Sequence, residues 1–244
     1  MEEIESFLLK IQDNKNPQEI NDILIKLSKS PNEKILVIVD YFLDSLNSTI
    51  LNKIKLNLIF LLGAIGSVTV LNRKYLNFLI ESYFNSDRWV RKEIIESFLV
   101  ILQNHEYNNE IFQIIELALN EDYFPIKKNA LSVLMILKEI PKKLVLTVLR
   151  LLDTNNEEII EMGLKILKSG VQTGDELFEL LNISKNYTSL NKSIVRVLIL
   201  EYFDSISELE SFKEKIGFSK WEEEYKILCN TEIKSFQRVL NRKA

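Results

Sequence analysis

Residues that interrupt helices or form tight turns are scarce in this sequence. Its 244 residues include only 6 glycines and 4 prolines. Because these two residue types supply the special backbone angles of turns and loops, their scarcity argues against long loops and many tight turns. With 46% hydrophobic and 27% charged residues, the composition suits a folded chain with a charged surface. We therefore expect the chain to be helical throughout.

Cysteine and histidine occur once each. Cys229 has no second cysteine to join, so no internal disulfide can form, and we expect a reducing, cytoplasmic location. Cys229 lies on an apolar helical face and is predicted to be a small buried residue. His105 lies in a turn, where a lone histidine is predicted to be solvated, and the commonest zinc sites need more histidines or cysteines than this chain has. We predict no metal and no cofactor.

The motifs of common catalytic sites are also missing. The GAIG segment at residues 63–66 lies in an apolar helical stretch and lacks the lysine and hydroxyl residue that complete a phosphate-binding loop. Serine-hydrolase, zinc-protease and EF-hand motifs do not occur. Acidic pairs such as Glu157 and Glu158 are typical of a first helical turn, where the helix dipole favours carboxylates. The chain is predicted not to be an enzyme.

Charge of one sign does not dominate the chain. Its 31 basic and 35 acidic residues give a net charge of −4 and a pI of about 5.4. Nucleic-acid-binding domains are usually basic, so this balance argues against a dedicated nucleic-acid binder. The balance is uneven, however, because residues 51–100 carry 7 basic and 4 acidic side chains. The second repeat region defined below is therefore locally basic.

Long hydrophobic runs are lacking as well. The longest uncharged run covers residues 56–72, which is 17 residues, and it is interrupted by Asn57, Gly66 and Ser67. A membrane-spanning helix needs about 20 predominantly apolar residues. We therefore predict no membrane insertion and interpret this segment as a helix buried on both sides.

A helical pattern recurs five times along the chain. Each copy has an aliphatic anchor, further small or apolar residues four, five and eight positions later, and a charged face between them. The spacings between successive anchors are 36, 36, 33 and 31 residues. A period of this length is typical of a solenoid, which buries its core by stacking neighbouring repeats. The anchors are Ile54, Val90, Ile126, Ile159 and Leu190.

Each anchor segment follows another amphipathic segment, so each repeat is predicted to be a helix pair. Connections this short force neighbouring helices to run antiparallel. The predicted repeats cover residues 31–70, 71–106, 107–140, 141–172 and 173–204 of one continuous domain. Residues 1–30 are interpreted as an N-terminal helical cap or degenerate repeat. Residues 205–244 are interpreted as a C-terminal helical cap, in which Trp221 covers the last repeat.

Two of the repeats carry a recognisable turn sequence. Asp87 is followed by Arg88-Trp89-Val90-Arg91-Lys92, and Asp122 is followed at a similar distance by Pro125-Ile126-Lys127-Lys128. This pattern resembles HEAT repeats of the armadillo-like superfamily, in which an aspartate closes the turn and a Val-Arg-like pair opens the second helix. The resemblance covers about residues 31–203. It implies an all-α protein folded as a right-handed α-α superhelix, or α-solenoid, of about five HEAT-like helix pairs with helical caps.

Cations lie in register at the start of the second helices. The position after the anchor holds Lys55, Arg91 and Lys127, and the next position holds Lys92 and Lys128. The resemblance implies that the first basic residue pairs with the turn aspartate of its own or the adjacent repeat. This assigns structural roles to Asp87, Arg91, Asp122 and Lys127.

The remaining basic residues and a nearby aromatic are candidates for binding a partner. Lys92, Lys128 and Lys55, with Trp89, could present charge and an aromatic surface to an acidic peptide or a phosphate backbone. Two alternatives remain open. The ladder could be purely structural, and Trp89 could simply pack on the preceding helix.

These observations favour a non-catalytic scaffold or adaptor that binds protein along the groove of a curved helical solenoid. The expected partner is an acidic or extended protein segment. The alternative is a nucleic-acid-binding HEAT protein, such as one resembling the DNA-alkylation-repair glycosylases. Chain length, Trp89 and the basic ladder favour that alternative. The acidic net charge and the lack of a catalytic aspartate-aromatic cluster oppose it.

Overall fold

A computed structural model describes residues 7–9, 16–104 and 109–240 of the chain. These residues form helices and the connections between them, with no β-strand in any of the three ranges. The prediction of an all-α protein is therefore confirmed. His105 lies outside the described residues. The chain divides into two compact units, Met1–Leu137 and Lys138–Ala244, which are described separately as unit 1 and unit 2. The repeat boundaries and the single continuous domain stay predictions.

The helices follow one another with short connections. Unit 1 contains α1 (Pro17–Ser28), α2 (Leu36–Ser45), α3 (Ser48–Gly66), α4 (Arg73–Phe84), α5 (Arg88–Ile101), α6 (Asn109–Leu119) and α7 (Phe124–Ile136). Unit 2 contains α8 (Lys142–Leu151), α9 (Glu157–Gly170), α10 (Gly174–Asn182), α11 (Lys192–Tyr202), α12 (Ile206–Phe218) and α13 (Glu223–Leu240). Two 3₁₀ turns, Glu33–Ile35 and Ile183–Ser189, precede α2 and follow α10.

The repeated apolar pattern forms the core of both units. In α3 the anchor Ile54 and its partners Leu58, Ile59 and Leu62 have no exposed surface. The corresponding residues of the other four copies are also buried, except for Val90 and Leu164, which are half-buried. A spacing of four and eight residues places side chains on one face of a helix, so each copy contributes one apolar stripe to the interior.

In unit 1 the odd-numbered helices pack side by side in chain order. α3 contacts α1 and α5, and α5 contacts α7. The alternate helices α4 and α6 contact each other, and each also packs against the helix that follows it. The close approach of α3 and α5 depends on Gly63, because a Cβ atom there would lie 2.6 Å from Ser97 Oγ and 3.2 Å from Ser97 Cα. Small residues at such positions let two backbones approach.

By length and composition alone, α3 is the one described helix that could cross a membrane. In its most apolar window, 44% of the residues are buried inside the protein. A core helix of this length passes the same test, and α3 has α1 and α5 packed against it. The absence of membrane insertion stays a prediction.

In unit 2 an aromatic stack joins the C-terminal helices to the residues before them. The indole of Trp221 lies between Phe178, at 5.7 Å between ring centroids, and Tyr187, at 4.7 Å. The three ring planes are nearly parallel, and Trp221 is only 4% exposed. Its Nε1–H donates to Asn182 Oδ1 at 3.2 Å. Trp221 thus contacts the predicted last repeat, although it lies in the turn before α13 and not inside a helix.

Polar contacts between distant residues span about one repeat. Asn57 Nδ2 donates to Asn21 Oδ1, 36 residues earlier, and Tyr75 Oη donates to Asp40, 35 residues earlier. In unit 2, Arg196 Nε donates to Glu232, 36 residues later. Each bond therefore joins a helix to the next helix but one in the chain.

Candidate functional site

Arg91 is held in a polar cluster at the start of α5. Its Nε and Nη2 atoms donate to the two carboxylate oxygens of Glu121 at 2.7 and 2.9 Å, and Nη1 donates to the Ser86 carbonyl at 2.8 Å. Tyr83 Oη also donates to Glu121, at 2.6 Å. Arg91 was expected to pair with a turn aspartate of its own or the adjacent repeat. Its acceptor is instead Glu121, the residue before Asp122.

This cluster controls the protonation of its members. Burial disfavours the charged carboxylate of Glu121, but hydrogen bonds from Arg91 and Tyr83 and the charge of Arg91 outweigh burial and lower the pKa of Glu121. Burial, followed by the hydrogen bond to Glu121, raises the pKa of Tyr83 well above its usual range. The hydrogen bonds to Glu121 likewise raise the pKa of Arg91. The cluster is therefore a charged pair at neutral pH, with a neutral tyrosine.

The two turn aspartates occupy different environments. The Asp87 carboxylate accepts hydrogen bonds from the backbone N–H groups of Trp89 and Val90 at 2.9 and 3.1 Å, so it caps α5. Asp122 is exposed and makes no ion pair or side-chain hydrogen bond with the described part of the chain. The residue before α7 is Tyr123, which provides no side-chain cap. Pro125 near the start of this helix needs no N–H partner there.

The exposed Trp89 and the half-buried Tyr123 form an aromatic pair beside these turns. Trp89 is 53% exposed, and its ring meets that of Tyr123 edge to face at 5.9 Å. The Arg88 guanidinium lies 5.2 Å from the Trp89 ring centroid and 5.1 Å from that of Tyr123. We call Arg88, Trp89 and Tyr123 the aromatic cluster. Sequence reasoning missed Arg88 and Tyr123, although Arg88 lay in the motif and Tyr123 follows Trp89 by 34 residues, about one repeat.

The ladder cations differ in what they contact. Lys55 Nζ donates to Ser86 Oγ at 3.4 Å, so Lys55 and Arg91 converge on the same residue. Lys92 forms an ion pair with Glu96 one turn along α5. Lys127 and Lys128 are half-buried, and Lys128 interacts with another group of the protein. Arg91 and Lys92 are thus paired with carboxylates of the protein itself.

A mixed polar and apolar face continues from Lys92 and Lys128 across α3, α5 and α7. The positions that align with Lys92 and its partner Glu96 hold Leu56 and Phe60 in α3, which are 41% and 47% exposed. Nearby, burial raises the pKa of Glu93, and the charge of Glu96 adds to this effect while Lys92 opposes it. This face offers apolar contacts at α3 and paired charges at α5.

No group of three or more histidine, cysteine, aspartate or glutamate side chains in the described ranges is arranged to hold a metal ion. Cys229 is buried, and burial raises its pKa to about 12. A thiol with so high a pKa is protonated and a poor nucleophile at neutral pH.

The chain matches no protein-family model, and no curated protein is significantly similar to it. Among solved structures it is similar to the crystal structures of two engineered proteins. The first is 15% identical and aligns over 96% of this chain and 98% of its own, with a TM-score of 0.48. The second is 13% identical and aligns over 88% of this chain and 62% of its own, with a TM-score of 0.45.

Proposed function

We propose that this protein is a non-catalytic scaffold or adaptor of the HEAT-like α-solenoid type, which binds an acidic or extended protein segment. The observation that carries the proposal is the half-exposed Trp89, held against Tyr123 with the Arg88 guanidinium over both rings. Tryptophan, tyrosine and arginine dominate binding energy at protein interfaces. Here the three types meet, with Arg88 and Trp89 exposed and Tyr123 half-buried.

The solenoid part of the proposal is supported by nearest-neighbour contacts. In unit 1, α1, α3, α5 and α7 pack in chain order, and polar bonds such as Arg91 to Glu121 span 30 to 38 residues. In a solenoid each repeat contacts only its neighbours, so contacts of this sequence separation are expected. The handedness and the groove of a superhelix belong to the proposal.

The charge at the aromatic cluster favours an acidic partner. Arg91 and Lys92 are occupied by Glu121 and Glu96, whereas Arg88 has no carboxylate partner among the described residues. A carboxylate of the partner could accept the free N–H groups of Arg88 while an apolar side chain covers the Trp89 ring. An extended segment suits such a site because it exposes both kinds of group along a narrow path.

Nucleic-acid binding stays the alternative, with weaker support. Affinity for a phosphate backbone comes from lysines and arginines whose charge is not already neutralised. The pairing of Arg91 and Lys92 with carboxylates removes two of the ladder cations from that role.

Affinity capture from the native source, with the full chain as bait, tests the proposed function. The double variant Arg88→Glu/Trp89→Ala should lose its specific protein partners by about tenfold or more, because the anchor residues of an interface carry most of its affinity. Both side chains are exposed and Asp87 still caps α5, so this variant should keep the thermal stability of the wild type.

The matched control is Val70→Ala/Arg73→Glu, which removes an exposed apolar side chain and an arginine at the start of α4. This control should capture the same partners as the wild type. Equal capture by all three baits would overturn the proposed site. Capture that depends on duplex DNA, with affinity falling steeply as salt is raised, would support the nucleic-acid alternative instead.

A further inference from the structure

Unit 2 contains an apolar groove bordered by α8 and α10. The groove has a volume of about 860 Å³, within the range of sites that receive side chains or small molecules. Its apolar lining includes Ile140, Val145, Leu146, Ile166, Leu180 and Ile183. At 44% exposure, Ile183 is the most accessible of these large apolar side chains. The groove therefore presents apolar surface to the solvent.

One lip of the groove is a turn held in an unusual conformation. Ser184 and Lys185, which follow Ile183, have φ angles of 52° and 58°, a left-handed region that favours glycine. Such strain persists only where surrounding contacts impose it. Asn186 Nδ2 donates to the Leu180 carbonyl at 2.7 Å, and Tyr187 stacks on Trp221. These two contacts hold the lip of the groove in place.

The same unit carries a protruding aromatic side chain. Phe218 is the last residue of α12 and is 91% exposed. Lys215, one helical turn earlier, lines the groove and forms an ion pair with Asp175 on the groove's edge at 2.6 Å. The protruding ring and the groove thus lie on the same side of unit 2.

Opposite charges lie beside the protrusion and the groove. Glu179, on the edge of the groove, and Lys220, two residues after Phe218, are both exposed. Neither side chain makes a hydrogen bond or ion pair with the described ranges of the chain. Asp175 and Glu176 are by contrast occupied, by Lys215 and by the backbone N–H groups of Gln172 and Thr173. Glu179 and Lys220 are therefore available to a partner.

We propose that the groove receives Phe218 of a second copy of this chain, with Lys220 of that copy beside Glu179. The apolar lining matches the ring, and the free lysine next to the ring matches the free carboxylate on the edge. Phe218 and the groove lie on the same face of unit 2. In a dimer with two-fold symmetry, Phe218 of each copy therefore enters the groove of the other, and no further copy can be added through this contact. One phenylalanine buries about 150–250 Å², and a stable interface needs about 800 Å² per copy, so we expect weak, concentration-dependent association. This dimer is independent of the proposed protein-binding function.

Sedimentation equilibrium of the full chain over the micromolar range tests the dimer. The wild type should shift from monomer to dimer mass with concentration, and Phe218→Glu should remain a monomer. The control is Phe84→Glu, which changes the exposed last residue of α4 in unit 1 and should dimerise as the wild type does. A wild type that stays monomeric, an associating Phe218→Glu, or an equal loss in Phe84→Glu would each overturn the proposal. Association beyond a dimer would overturn the two-fold closure.

A charge exchange tests the pairing without touching an apolar residue. Glu179→Lys and Lys220→Glu should each weaken dimerisation about tenfold at low salt, because the pair occurs twice in a two-fold dimer. The double variant restores opposite charges and should regain the wild-type dissociation constant. Additive loss in the double variant would contradict the pairing. Circular dichroism should be unchanged in all three variants, since both side chains are exposed.

Discussion

The Arg91 guanidinium binds the Glu121 carboxylate with two parallel hydrogen bonds, from Nε at 2.7 Å and from Nη2 at 2.9 Å. The two residues are 30 positions apart, so this pair ties the start of α5 to the turn before α7. Side-chain exposures of 28% and 17% place the pair partly out of water. The third donor bond of Arg91, to the Ser86 carbonyl, fixes the turn before α5 as well.

Breaking the ion pair between Arg91 and Glu121 should destabilise the fold. We expect Arg91→Ala to lower the free energy of unfolding by about 2 kcal/mol, because Glu121 keeps its charge but loses its charged donor. Arg91→Lys should recover less than half of that loss, since a lysine cannot form the two parallel bonds. Urea denaturation measures both changes. The control is Lys127→Ala at the same ladder position in the next repeat, where an equal loss would show that the pair itself is unimportant.

The stability of the protein should depend on the protonation of Glu121 in acid. Its pKa is lowered in the folded state, so its contribution is fully present above the unfolded pKa of about 4.3 and is lost as pH falls through the lower folded value. Glu121→Gln removes this titration. The stability gap between wild type and Glu121→Gln should therefore be constant near neutral pH and shrink below about pH 4. A gap that stays constant down to pH 2 in urea titrations would contradict this linkage.

Two glycines should respond in opposite ways to alanine. At Gly63 a methyl group would lie 2.6 Å from Ser97 Oγ and 3.2 Å from its backbone, so Gly63→Ala should cost about 1–3 kcal/mol by forcing α3 and α5 apart. At Gly217, inside α12, a methyl group would meet no heavy atom within 4 Å, and Gly217→Ala should add about 0.5 kcal/mol. Thermal melts compare the two, and a stabilised Gly63→Ala would contradict the close helix approach.

Much of the core could be predicted from the spacing of apolar residues. Ile54, Leu58 and Ile59 are buried because positions four and five apart share a helix face, whatever the helix packs against. Val90 is the exception in α5, where it is half-buried although the equivalent anchors Ile126 and Ile159 are buried. The positions of the helices could also be predicted from the sequence, because short polar segments and capping residues such as Asp87 mark where helices begin.

The candidate site was predictable only in part. Trp89 and Lys92 could be selected from the aligned repeats, but the Lys92 charge is neutralised by Glu96 within its own helix. Tyr123 reaches Trp89 from the turn of the following repeat, and no local pattern indicates that contact. The groove of unit 2 depends on the left-handed turn at Ser184 and Lys185, where neither residue type signals such a conformation.

The helical character of this chain and the buried face of each helix follow from the order of its residues, because both depend on backbone propensity and on the 3.6-residue period of the α-helix. The carboxylate that accepts Arg91 is set by tertiary packing instead. Glu121 and Asp122 are adjacent in the chain and chemically alike. Which of the two accepts the hydrogen bonds of Arg91 depends on how α5 packs against the turn before α7. Tertiary packing also decided that Trp89 is exposed and Trp221 is buried. The charge and aromaticity of a side chain are local properties, whereas the groups that it contacts are set by the packing of one helix against another.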